Sequence, residues 1–318
     1  MAFHATGQTL ARDALVKVLE RYVSSTGDFH PRDARTVGQA LIHHRSHRGS
    51  NMYVAAFQAP LDLARNYRNA WFAWGAHVAG ARQLSAVGLE GLEKAIHPRL
   101  GAIPHSCAPN VQQPIFDLGT NASCVNALLA CGRINAALRV GAFIKSIIMA
   151  QSAEAATVSL ARNAQGQLVT PAEIASGVAR KLYLFSPGSS GQIYWPLGFA
   201  LKVLAQLYKQ TGDSTWLAPA RRISAWLKRC PDEHFTSITS AKICWGAGAM
   251  FEETGEREWA DLTIRATNAI ISTQTEKGIW IRPDLPAWLP QPLLVSADTS
   301  LERMYYLTQL PSALHKPL

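Results

Sequence analysis

The sequence predicts an all-α protein: helical hairpins arranged as an (α/α)6 barrel, with an apolar inner ring and an amphipathic outer ring. Three observations predict it. A helix–glycine–helix unit recurs along the 318 residues. The two helices of each unit differ in apolar pattern, and strand signals are sparse.

The turns define the repeat. VLERYVSSTGD at 18–28 and VLAQLYKQTGD at 203–213 keep the same spacing from Val to Asp. AMFEETGEREW at 249–259 matches TGDSTW at 211–216, and LLACGRINAAL at 128–138 is a weaker copy. Self-similarity of this kind marks a tandem supersecondary unit. Gly27, Gly132, Gly212 and Gly255 stand where the first helix of each unit ends. Glycine accepts the left-handed conformation of a helix C-terminus at no steric cost. Asp28, Asp213 and Glu256 follow directly and suit the positive start of the next helix. Stops fall 19 residues after three of these glycines, at Gln151, Pro231 and Gln274. The turn spacings of 105, 80 and 43 residues call for two further turns, at Gly80 and at Asn163–Gly166. Six hairpins of about 53 residues then fill the chain, so 1–318 reads as a single domain.

Each first helix is apolar or small nearly all round: ASCVNALLAC at 122–131, WPLGFALKVLAQL at 195–207, CWGAGAMF at 244–251. Such a helix is buried on every side. The second helices are amphipathic. Trp216, Leu217, Ala220, Ile223 and Leu227 lie at helical spacing, with Arg221, Arg222 and Lys228 opposite. KLYLF at 181–185 and GIWIR at 278–282 read as short extended pieces.

Composition excludes several classes. Apolar residues make up 48% and charged residues 17%, so the chain is not disordered. The most apolar stretch, Val125 to Ala150, is interrupted by Arg133, Arg139 and Lys145, which argues against a membrane span. No apolar signal segment is visible at the N-terminus, and the five cysteines are odd in number without a CxxC. Reduced thiols and a cytoplasmic setting are expected. The net charge of +9 is scattered apart from HHRSHR at 43–48, and no nucleic-acid-binding motif accompanies it. His43, His44 and His47 lack the HExxH pattern and sit in a basic segment, so no metal is expected. No phosphate loop, dinucleotide fingerprint or nucleophile elbow occurs, and no cofactor is expected. The oligomeric state stays open, a homo-oligomer included.

The segment GQIYWPLGFALKVLAQLYKQTGDSTWLAPARR at 191–222 resembles a hairpin of the unsaturated glucuronyl hydrolases and their relatives. TSAKICWGAGAMFEETGEREW and TQTEKGIW continue the likeness, which covers about 185–282. It implies the six-hairpin, or (α/α)6-toroid, enzyme fold. Toroids of this kind host glycosidases, polysaccharide lyases, sugar epimerases, terpenoid cyclases and prenyltransferases, and fold alone does not choose among them. SSGQIYW stands where the hydrolases carry an Arg-Gly pair and a Trp. The DxDD and DDxxD motifs of terpenoid enzymes are absent. CWG at 244–246 has no adjacent Cys-His pair to complete the zinc site of toroidal lanthipeptide cyclases.

In such a barrel the loops entering the inner helices form the default pocket. PIFDLGTNAS at 114–123 offers Asp117 as general acid or base, with Thr120 or Asn121 as N-cap. SPGSSGQIYW at 186–195 offers Gln192, Tyr194 and Trp195 for substrate binding. PDEHFTSITSAKICW at 231–245 offers His234 for proton transfer, with Asp232 and Glu233 beside it, and Lys242 and Trp245 for binding. Ser240 is the expected cap of the helix that follows. LVSADTSLERMYY at 294–306 offers Asp298 as a third catalytic candidate, while Thr299 and Glu302 fit a capping box. Trp71 and Trp74, on an apolar stripe with His77, read as core or as pocket wall.

The preferred function is a cofactor-independent enzyme acting on a small, largely apolar, natural-product-like intermediate. Cyclisation, isomerisation, dehydration or pericyclic closure would need shape and one or two proton-transfer groups. The alternative is a carbohydrate-active enzyme, an unsaturated glucuronyl hydrolase or lyase. A non-catalytic helical binding scaffold comes third.

Overall fold

A computed structural model describes residues 66–78, 82–106, 114–174, 178–237, 239–275, 280, 299–300, 302–307, 309–311 and 314. The turns at Gly27 and Gly80, His43–His47, Cys107, Asp298 and most of 278–282 lie outside the described residues. The chain divides into two compact units: Ile42–Pro231, and Met1–Leu41 together with Asp232–Leu318.

Among the described residues, the first unit holds three helical hairpins. Helices α1 (Asn66–Val78) and α2 (Arg82–Lys94) form one, α3 (Leu118–Ala130) and α4 (Ile134–Met149) the next. Helices α6 (Trp195–Thr211) and α7 (Leu217–Lys228) form another, entered after a six-residue helix α5 (Val178–Tyr183). The first helices of these hairpins pack side by side, α1 on α3 and α3 on α6, while α4 packs on α7. All residues of α3 from Leu118 to Leu128 are buried. That is the environment its all-round apolar pattern demands. In α7, Ala220, Ile223, Trp226 and Leu227 are buried while Arg221 is exposed. The second unit holds the fourth described hairpin, α8 (Ala241–Thr254) and α9 (Arg257–Ser272). Residues 241–250 of α8 are all buried.

The glycine turns behave as the repeat predicts. Gly212 and Gly255 end α6 and α8 at φ +67° and +68°, their N–H groups bonding Tyr208 O and Phe251 O at 2.8 Å. Gly132 lies at φ +76° directly after α3. Helices α4, α7 and α9 stop at Met149, Lys228 and Ser272, beside the predicted stops.

One turn differs. Asn163–Gly166 joins extended segments, not helices. Strand β1 (Phe116–Asp117) pairs antiparallel with β3 (Ala161–Arg162), and β2 (Val158–Ser159) with β4 (Leu184–Phe185). Arg162 bridges to Leu168 across the turn. The Asn163 side chain accepts the N–H groups of Gln165 and Gln167 at 3.1 and 3.0 Å, and Gly166 lies at φ +85°. An Asx turn with a left-handed glycine builds a tight loop as readily as a helix end. KLYLF is only partly extended: its first three residues close α5, and only Leu184 and Phe185 are strand.

Arginines tie loops to helices. Arg222 donates to Gln151 O, Trp226 Nε1 to Ser152 O at 3.0 Å, and Arg229 to Ala153 O and Ala155 O at 3.0 and 2.9 Å. Arg139 donates to Pro98 O at 2.8 Å and Arg162 to Ser146 O at 3.0 Å. Charged donors to carbonyl acceptors make stronger bonds than neutral ones. Part of the +9 charge therefore serves the fold.

Candidate active site

The site is built at the start of α3. The sequence places the cap at Thr120 or Asn121, but the helix begins at Leu118 and Asp117 is its N-cap. Asp117 is extended at φ −101°, ψ 155°, and its Oδ1 accepts the Thr120 N–H at 2.8 Å. Thr, Asn and Asp all cap well, so type alone did not choose. The position did, because β1 delivers Asp117 in the extended conformation a cap requires.

The other oxygen of that carboxylate meets a histidine that the sequence reading did not single out. His105 Nδ1 lies 3.0 Å from Asp117 Oδ2 and 3.3 Å from Thr120 Oγ1. A carboxylate only accepts, so the contact calls for a proton on Nδ1. The Asp117 side chain is 7% exposed and that of His105 25% exposed. The imidazole also stands edge-on to Tyr183, with centroids 6.1 Å apart. An imidazole anchored through one nitrogen by a carboxylate is an arrangement general acid–base catalysis uses.

Aromatic rings adjoin this helix start. A Cβ on Gly119 would fall inside the Trp195 indole, so glycine lets that ring lie directly on α3. Tyr67 packs on Trp195 at 5.1 Å and on Trp71 at 6.3 Å. Trp71 meets Trp74 at 5.2 Å and Phe199 at 6.2 Å. Tyr67 and Trp195 are half-buried, whereas Trp71 and Trp74 are 2% and 8% exposed. Tyr194 is the N-cap residue of α6, buried edge-on against Phe185 at 5.7 Å. Gln192 holds its own loop, accepting the Ser186 N–H at 3.1 Å and donating to Ser190 O at 3.4 Å.

The remaining candidates lie in the second unit. The buried Lys242 ammonium pairs with Glu302 and sits 5.1 Å from the Tyr306 ring centroid. Glu302 Oε1 also accepts the Tyr306 hydroxyl. Trp245 stacks on Tyr306 at 4.9 Å and 23°. Burial in this cluster pushes the Tyr305 hydroxyl up and the Cys244 thiol to about 12. His234 belongs to the 3-10 turn Asp232–Thr236, with its side chain outside the described residues. Asp232, expected beside it, pairs with the Arg265 guanidinium, which lies 4.3 Å over the Phe235 ring. Ser240 precedes α8, but its hydroxyl donates to Phe235 O and Ser237 O rather than capping. No described helix is long and apolar enough to cross a membrane.

No protein-family model and no curated protein matches the sequence. Solved structures do match. An unsaturated glucuronyl hydrolase specific for heparin aligns at TM-score 0.61 and 11% identity, over 94% of this chain and 95% of its own. A D-mannose isomerase aligns at TM-score 0.55 and 11% identity, over 77% and 78%. A GH76 α-mannanase from Bacteroides thetaiotaomicron aligns at TM-score 0.52 and 12% identity, over 86% and 83%. All three are enzymes of the (α/α)6-toroid fold, and the likeness gives this chain that fold.

Proposed function

We propose that the protein is a carbohydrate-active enzyme in which His105 transfers a proton to or from its substrate. The observation that carries this reading is the 3.0 Å contact of His105 Nδ1 with Asp117 Oδ2. Asp117 holds the ring and its tautomer, and Nε2 does the chemistry. Half-buried Trp195 and Tyr67 supply a flat apolar surface for the ring of a sugar. The three solved structures named above carry carbohydrate activities in their names, which supports this reading over the apolar natural-product intermediate that the sequence favoured. A cytoplasmic setting and a single domain over 1–318 belong to the same reading.

The test is turnover of three carbohydrate groups: unsaturated uronides, free aldoses and manno-oligosaccharides. One of them is turned over, and His105→Asn loses most of kcat. Absence of turnover on all three, or full activity in His105→Asn, would overturn the proposal.

A further inference from the structure

His105 sits in a short irregular run, Ile103-Pro104-His105, outside any helix or strand. The run has five backbone polar groups, because proline lacks an N–H. All five are engaged. Ile103 N–H donates to Asn121 Oδ1 at 2.8 Å, and Asn121 Nδ2 donates back to Ile103 O at 2.9 Å. Asn66 Nδ2 donates to Pro104 O at 2.8 Å, and the Asn66 N–H to His105 O at 3.2 Å. His105 N–H donates to Ile115 O at 2.8 Å. Asn121 is fully buried and makes one more bond, from Nδ2 to Asp117 O at 2.8 Å. A single side-chain amide therefore grips the backbone of Asp117 and the segment that carries His105.

Nothing about helix α3 requires this. Its cap is supplied by the Asp117 carboxylate, and an asparagine in a helix interior is a weak helix former. A fully satisfied buried amide rigidifies what it bridges.

We infer that Asn121 and Asn66 are positioning residues that hold His105 at hydrogen-bonding distance from Asp117. The inference rests on the reading of His105 as the proton-transfer group, but its test does not need turnover. Histidine is labelled with 15N and the His105 signals are assigned with His105→Asn. The wild-type ring shows one tautomer, protonated at Nδ1. In Asn121→Ala and in Asn66→Ala the ring moves to a mixture of tautomers. For a substrate found in the screen, each variant loses on the order of 10²-fold in kcat with KM little changed, the scale of a misplaced catalytic group.

A wild-type ring not protonated at Nδ1, or a single Nδ1–H tautomer kept in the variants, overturns the inference. Should Asn121→Ala fail to fold by circular dichroism, Asn66→Ala decides, because it removes the side-chain bond to the half-buried Pro104 carbonyl and the one accepted from Asn69 while leaving the Asn121 amide in place. Failure of the functional reading looks different: His105→Asn would retain turnover, whatever the tautomers of the asparagine variants.

Discussion

One carboxylate of Asp117 serves two partners: Oδ1 caps α3 through the Thr120 amide at 2.8 Å, and Oδ2 meets His105 Nδ1 at 3.0 Å. Asparagine would still cap, since Asn and Asp cap equally well. It would also offer His105 a donor in place of an acceptor. Asp117→Asn should therefore leave the melting temperature nearly unchanged while kcat falls on the order of 10²–10⁴-fold, the usual weight of a general acid–base group. Asp117→Ala should lose the activity and also about 1 kcal/mol of stability from the missing cap. Denaturant titration beside steady-state kinetics separates the two.

Gly119 admits the Trp195 indole onto α3. Gly119→Ala should destabilise by roughly 1–3 kcal/mol, the cost of overpacking a close contact. Trp195→Ala in the same chain should recover part of that loss. A double-mutant cycle in urea reads the coupling, and strict additivity would contradict the contact.

Gly212 and Gly255 pose a backbone cost alone, because a Cβ at either would meet nothing within 4 Å. Alanine at each should cost roughly 1–2 kcal/mol for the left-handed conformation. The two losses should add, and activity should persist in both variants.

Cys244 gives a pH prediction. Burial pushes its thiol from 9.0 to about 12, so the folded state favours the protonated form. That contribution is whole below pH 9 and is lost as pH rises toward 12. The melting temperature should decline across that window, and Cys244→Ala should flatten the decline. Native Cys244 should also resist a thiol reagent at pH 8 and react once unfolded.

The turns and the inner helices were legible because glycine after an apolar run has few other uses. Asn163–Gly166 was misread because a left-handed glycine serves a β-turn equally well, and only pairing with residues far along the chain tells the two apart. Asp117 was legible as a carboxylate before an inner helix. His105 was not, because it lies in an irregular segment without periodicity. Its partner is twelve residues away, brought near by the backbone bonds His105 accepts from Asn66 and donates to Ile115. The one local sign was Pro104, which favours an extended conformation at its predecessor. Lys242 and Glu302, 60 residues apart, illustrate the same limit: capping-box spacing explained Glu302 before its partner could be known.

The arginine and tryptophan bonds from α7 and its C-cap Arg229 to residues 151–155 span 71 to 76 positions of chain. The helical hairpins close over far shorter distances. Long loops close late, after local structure has formed. These bonds should thus be absent when the folding barrier is crossed. Removing Arg229 should speed unfolding in a chevron while leaving the refolding limb in place. The basic residues that fasten this loop would then act chiefly as a brake on unfolding, setting how long the native protein persists.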